Sequence, residues 1–185
     1  MRKLALFLPL FLLSGTMAVA QIPTSGNIFF GYSYYNTDVS SVNRTSTNGF
    51  EGSLEGKVLP FVGIVADFDG HYGSQTFPFV CAGGVLSCGP VPVTNFTEHN
   101  VLFGPRVSAS VGRFRPFAEA MFGVGHIGTS NFGSDTSFAS AYGGGLDFRV
   151  LRVLAWRIQG DYVRTSFFHA DQGNVRISTG IVFRF

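Results

Sequence analysis

The last thirteen residues, Gly173 to Phe185, keep a two-residue rhythm. Val175, Ile177, Thr179, Ile181, Phe183 and Phe185 hold the odd positions, and Asn174, Arg176, Ser178, Gly180, Val182 and Arg184 the even ones. Successive side chains of a strand point to opposite faces. One face of this segment is therefore apolar and ends in two aromatics, while the other carries two arginines among mostly small residues. A strand that crosses a membrane needs such a division, with its apolar face on hydrocarbon and its polar face on a lumen.

The rest of the chain narrows the choice. Beyond residue 20 no apolar run approaches the roughly 20 residues that a membrane helix requires. A closed barrel is the other structure that satisfies every backbone polar group within lipid. The composition is unusual, with 21 Phe and 24 Gly against only 13% charged residues. Residues 1–20 read as a secretory signal peptide: basic Arg2 and Lys3, an apolar run from Leu4 to Leu13, then Ala18-Val19-Ala20 before Gln21. Removing them takes two of the 13 basic residues and none of the 11 acids, so residues 21–185 are formally neutral. No basic patch argues for nucleic acid.

Eight segments of strand length follow, at Asn27–Asn36, Gly49–Val58, Phe61–Tyr72, Thr97–Ser110, Pro116–Ile127, Ser137–Arg149, Leu154–Ser166 and Gly173–Phe185. They are joined by connections that alternate between short and long, as short periplasmic turns and longer outside loops do. The fold expected is all-β: an eight-stranded antiparallel up-and-down transmembrane barrel over residues 21–185. Lys57, Arg113, Arg115, Arg152 and Arg184 gather at the short-turn end; attraction to anionic phospholipid is one reading of that bias.

The same phase turns eight of the eleven acids inward: Glu51, Glu55, Asp67, Asp69, Glu98, Glu119, Asp147 and Asp161. Arg106, Arg157 and Arg176 accompany them, with Lys57, Arg149 and Arg184 nearer the inner rim. Eight strands enclose just enough room for side chains to fill, so these charges are expected to pair and plug the lumen. A soluble lipocalin-like barrel would reverse the faces and send the charges outward.

Phe30-Phe-Gly-Tyr-Ser-Tyr34, Val65-Ala-Asp-Phe-Asp-Gly70, Leu102-Phe-Gly-Pro-Arg106, Gly143-Gly-Gly-Leu-Asp147 and Val182-Phe-Arg-Phe185 together resemble the eight-stranded outer-membrane barrels typified by OmpA, OmpX and the opacity proteins. The resemblance implies a diderm bacterial outer-membrane location. It implies insertion by the barrel-assembly machinery, with Phe183 and Phe185 as the terminal aromatic signal. It further implies contact with outer-membrane lipid and lipopolysaccharide, no cofactor or metal, and no enzymatic activity. A peptidoglycan-binding domain of the OmpA kind is not expected after the barrel.

Other residues keep alternatives open. Cys81 and Cys88 lie in the longest loop and, in an oxidising compartment, are expected to form a disulfide. On the chain-entropy model that bridge is worth roughly 2.5 kcal/mol. Gly123-Val-Gly-His-Ile-Gly128 fits the dinucleotide fingerprint, but a loop follows where that motif needs a helix. Ser166, His169 and Asp171 near the last loop, and His126 and Ser130 near the third, supply the residue types of an acyl hydrolase. A lipid A-modifying deacylase or acyltransferase is therefore the enzyme alternative, and a narrow ion-conducting porin is the transport alternative. The leading expectation is a non-enzymatic barrel, its lumen closed by ion pairs and its outside loops available to a surface ligand or to envelope integrity.

Overall fold

Eight strands pair antiparallel in sequence order, and the last returns to the first: β1 (Gly26–Thr37), β2 (Thr45–Lys57), β3 (Val62–Thr76), β4 (Val93–Ser108), β5 (Phe114–Thr129), β6 (Gly133–Arg149), β7 (Leu154–Thr165) and β8 (Gln172–Arg184). The computed structural model describes residues 25–37, 44–76, 93–130 and 133–185, except the side chains of Gln75, Thr76 and His169. The β8–β1 ladder runs from Asn27↔Arg184 to Asn36↔Val175, so no strand is left with an open edge. Beyond β8, Gly26 and Phe185 exchange backbone bonds of 3.0 and 3.2 Å, which extends the seam to the last residue.

The two-residue rhythm becomes an inside and an outside. Ile181 and Phe183 are 52% and 51% exposed on the outer wall, whereas Arg176 is 0% exposed within. On β7, Arg157, Gln159 and Asp161 are buried while Trp156, Ile158 and Tyr162 face out. An apolar exterior around a charged interior is the arrangement of a barrel in lipid and the reverse of a soluble one.

The interior is not wholly polar. Phe29, Ala155 and Val182 pack together inside. So do Tyr35, Val65, Leu102, Met121, Ala139, Ala141 and Val163. Phe29, Tyr35, Phe96 and Phe117 are buried there because the strand phase carries them to the lumen. Leu102 and Pro105 interrupt the alternation in composition only: Leu102 stays inside and Pro105 outside. Gly104 and Pro105 drop out of the β4–β5 ladder, as proline has no N–H to give. A Cβ on Gly104 would sit 1.9 Å from the Ala120 carbonyl oxygen, so β4 and β5 approach there only because the residue is glycine.

Strand ends differ from the expected ones mainly on the long-loop side. β2 starts at Thr45 rather than Gly49, β3 continues to Thr76, β4 starts at Val93 and β6 at Gly133. These extensions, such as Thr45-Ser-Thr-Asn48, are polar and read as loop, but their backbones continue the ladders. β3 to β6 span 15 to 17 residues against 12 or 13 for the others. A tilted strand crosses a bilayer in about 9–11 residues, so one side of the wall stands well proud of the membrane.

The short turns hold a repeated device. Val58 and Leu59 both donate to Val62, and Val150 and Leu151 both donate to Leu154. The middle turn is tighter, with Val111 and Phe114 exchanging both bonds around Gly112 at φ 62, a left-handed conformation that favours glycine. At the other end the connection after β7 is a 3-10 turn, Phe167–His169, rather than a plain loop. Phe168 takes φ 51 and its N–H bonds the Asp135 carboxylate at 2.5 Å. This twist leaves Phe168 outside and drops Phe167, 0% exposed, onto Phe96 and Ile127 across the outer mouth.

Candidate functional site

The inward charges form two layers of opposite balance. Near the short turns, Glu55 of β2 accepts from Asn27 Nδ2 at 2.7 Å, Arg106 Nη1 at 3.2 Å and Arg115 Nη2 at 2.7 Å, with Lys57 Nζ at 2.9 Å. Arg106 also reaches Glu119 at 2.7 Å through Nε. Arg157 holds Asp147 in a forked pair at 2.6 and 3.2 Å, and Arg184 lies 3.4 Å from the same carboxylate. The Arg106 and Arg157 guanidiniums lie over the Phe117 ring at 4.4 and 4.6 Å, and Arg157 also lies 5.0 Å from the Phe29 ring. The inner aromatics thus act as cation–π surfaces for buried arginines.

Farther toward the long loops, one cation serves several acids. Arg176 Nη1 donates to Asp67 at 2.8 Å and to Asp69 at 2.5 Å. Its Nη2 donates to Asp161 at 2.9 Å, and its Nε lies 3.5 Å from Glu51. These contacts join β8 to β2, β3 and β7 and so cross the lumen. Glu51 also accepts from Gln159 at 2.5 Å and from the Ser178 hydroxyl. Asn100 then links Asp69 at 2.9 Å to Glu98 at 3.3 Å, and Tyr35 donates to Glu98 at 3.0 Å. Tyr35 stacks on His71, whose Nδ1 lies 3.2 Å from Asp69. Phe96, Ile127 and Phe167 close this belt from the outside.

The layer near the long loops carries Glu51, Asp67, Asp69, Glu98 and Asp161 against Arg176. The layer near the short turns carries Glu55, Glu119 and Asp147 against Lys57, Arg106, Arg115, Arg157 and Arg184.

Every acid expected inside is found there, and Arg106, Arg157 and Arg176 are fully buried. Arg149 instead lies exposed at the rim and donates to the Gly112 carbonyl at 2.9 Å. Sequence reasoning missed Arg115, because it placed that residue in the turn and started the strand at Pro116. The odd phase of Phe117, Glu119 and Met121, continued back by two residues, would have found it. Asn27, Tyr35 and Phe167 were also overlooked, each on the inward phase of its strand or of that strand's continuation. Among the described residues no cluster of three or more His, Cys, Asp or Glu is arranged to hold a metal. Cys81, Cys88 and the signal-peptide segment lie outside the described residues.

Of the loop residues considered for catalysis, Ser166 and Asp171 meet, and the His169 side chain lies outside the described residues. Ser166 Oγ donates to Asp171 at 2.6 Å, and Arg164 donates to the other carboxylate oxygen at 2.8 Å. The Ser166 bond first, and the Arg164 guanidinium second, hold the Asp171 carboxyl below the usual carboxylate range. These residues line an open cleft of about 370 Å3 with Phe138, Ser140 and Tyr142. His126 faces outward and is bonded to Thr136 at 2.7 Å. Ser130 Oγ accepts from the Asn95 N–H at 3.2 Å. Serine and acid thus meet directly here, whereas a hydrolytic triad has an imidazole between them. The glycine-rich segment 123–128 lies within β5, with no helix after it.

No family model matches the sequence, and no curated protein matches it either. Solved structures match the fold. Neisserial surface protein A, NspA, aligns with a TM-score of 0.69 at 11% identity over 86% of this chain and 97% of its own. OprG, an outer-membrane protein of Pseudomonas aeruginosa, gives 0.59 at 9% identity over 89% and 97%. Ail, the attachment invasion locus protein of Yersinia pestis, gives 0.56 at 17% identity over 86% and 98%, in a crystal complex with the heparin analogue sucrose octasulfate. In fold, this chain is a closed eight-stranded antiparallel β-barrel similar to those of the outer-membrane proteins NspA, OprG and Ail.

Proposed function

We propose that the protein is a non-enzymatic outer-membrane barrel of a diderm bacterium, with a lumen sealed by its ion-pair layers and a structural or surface-contact role in the envelope. The observation that carries this reading is Arg176, fully buried, bonded across the lumen to Asp67 and Asp69 of β3 and beside it to Asp161 of β7. The basic layer beneath it and the Phe167 cap above it support the same seal. Export by the segment 1–20, a Cys81–Cys88 bridge and assembly through the Phe183 and Phe185 signal belong to the reading. Both of those aromatics are exposed on the outer wall near the closing seam. Lipid and lipopolysaccharide are the surrounding partners.

The outside loops are the place for any further ligand. Ail was crystallised with a polyanion, but residues 77–92 here contain no charged side chain. Arg164, on the same side, is occupied by Asp171. An apolar or neutral surface therefore suits the loop at 77–92 better than a sulfated glycan.

Planar-bilayer recording tests the seal. The sealed lumen gives no sustained single-channel steps, whereas stable conductance in most insertions would establish the porin alternative instead. Against the enzyme alternative stands the direct bond from Ser166 to Asp171, where a hydrolytic triad has an imidazole.

A further inference from the structure

Three arginines at the short-turn rim have no carboxylate to answer them. Arg113, Arg149 and Arg152, with Val150 and Leu151, line an open cleft of about 360 Å3 between the second and third short turns. Two bonds tie its walls together: Arg149 N–H to the Arg113 carbonyl at 2.8 Å and Arg149 Nη2 to the Gly112 carbonyl at 2.9 Å. Among the described residues no acid lies within ion-pair distance of these three side chains. The acids nearest in sequence, Asp147 on β6 and Glu119 on β5, point into the lumen and are engaged by Arg157, Arg184 and Arg106.

The surroundings of the cleft are apolar where a water-facing turn would be polar. Val111, Val150, Leu151 and Val153 are each more than half exposed. Phe114 and Phe148, directly opposed on β5 and β6, form an aromatic contact at 5.3 Å on the outer wall beside it. Aliphatic turn tips settle into the boundary of a bilayer, which places neighbouring guanidiniums at the level of the phosphates. Guanidinium binds phosphate through forked, charge-assisted bonds, and the aromatic wall next to it accepts an acyl chain.

We propose that this cleft binds the phosphate headgroup of an anionic phospholipid in the leaflet that meets the short turns. The inference rests on the membrane reading above and goes further by giving that leaflet a specific lipid site. The occupant is a lipid rather than a free anion because the arginines stand among exposed aliphatic and aromatic side chains.

The test uses the protein refolded in uncharged detergent micelles with equal phosphatidylglycerol and phosphatidylcholine, bound lipids being counted by native mass spectrometry. The wild type should retain phosphatidylglycerol preferentially. Arg113→Gln with Arg152→Gln should lower that preference on the order of twenty-fivefold, at roughly fivefold per arginine. Arg164→Gln, at the opposite rim, should leave it unchanged. Equal retention of both lipids by the wild type, or an unaltered preference in the double variant, would overturn the site. A second readout needs no variant: phosphatidylglycerol should shield Arg113 and Arg152 from phenylglyoxal. Equal shielding by inorganic phosphate would mean a bare anion site and reject the lipid assignment. Failure to insert into pure phosphatidylcholine vesicles would instead strike the membrane reading, which separates the two.

Discussion

Replacing Arg176 by methionine puts the sealed lumen to its sharpest test. The substitution keeps most of the side-chain length and removes the cation shared by Asp67, Asp69, Asp161 and Glu51. Removing one partner of a single buried ion pair costs about 3–5 kcal/mol. Here several carboxylates are stranded together, and two like charges about 4 Å apart repel by about 4 kcal/mol at an effective dielectric of 20. The loss should therefore lie at the upper end, about 5 kcal/mol, against the roughly 5–15 kcal/mol that holds a typical domain. Urea unfolding in phosphatidylcholine vesicles can be followed by Trp156, the sole tryptophan, on the outer wall. Adding Asp67→Asn and Asp69→Asn to R176M removes two of the stranded charges and should restore a large part of the loss. If R176M fell within about 1 kcal/mol of wild type, or the triple variant were no better than the single, the belt would not be held by Arg176.

Two further outcomes concern the outer mouth. Phe167→Ala should cost about 3–5 kcal/mol, as for other buried phenylalanines, and should admit water to the belt, read as faster hydrogen exchange at Asn174 and Glu98. Asp171 should titrate below the ordinary aspartate value of about 3.9 in a carbon-13 carboxyl titration. Its contribution to the loop is present above that value and is lost as pH falls through the depressed one. Ser166→Ala should raise the midpoint more than Arg164→Gln does, since the hydroxyl bond is the larger cause; a wild-type midpoint at or above the ordinary value would contradict the geometry.

Side-chain direction was legible in the sequence because it depends only on strand phase. Arg176 between Val175 and Ile177 had to face the other way from both, and each of the eight acids followed the phase of its own strand. Partners were not legible. Arg176 and Asp67 stand 109 positions apart, and their meeting depends on the stagger of closure, which no single strand encodes. Ends were misjudged where composition and backbone disagree: Thr45-Ser-Thr-Asn48 is polar and still continues a ladder. Arg115 was lost by the same kind of error, since a turn boundary set at Pro116 hid the inward phase one residue before it. Phe167 shows a different limit. Its parity continues β7, but its descent into the mouth needs the left-handed Phe168 after it, a conformation that bulky residues rarely adopt.

The buried charges also fix which way the strands slide. A one-residue slip of a strand exchanges its two faces. Slipping β8 would carry Arg176 to the hydrocarbon, at about 2–4 kcal/mol near the bilayer midplane, and would strand the acids it had served, at about 3–5 kcal/mol more. The exterior residues resist the slip less, because a lipid-facing surface of Val175, Ile177, Ile181 and Phe183 meets the same solvent in any neighbouring in-phase register. In a soluble barrel the packed apolar core discriminates registers; here the outer wall faces fluid lipid, so that discrimination passes to the lumen. Contacts from β8 to β3 and from β4 to both β2 and β5 form only when all eight strands hold one stagger. Evenly distributed small polar residues would fill the same space without that constraint, which gives a physical reason for charges in the lumen that is independent of transport.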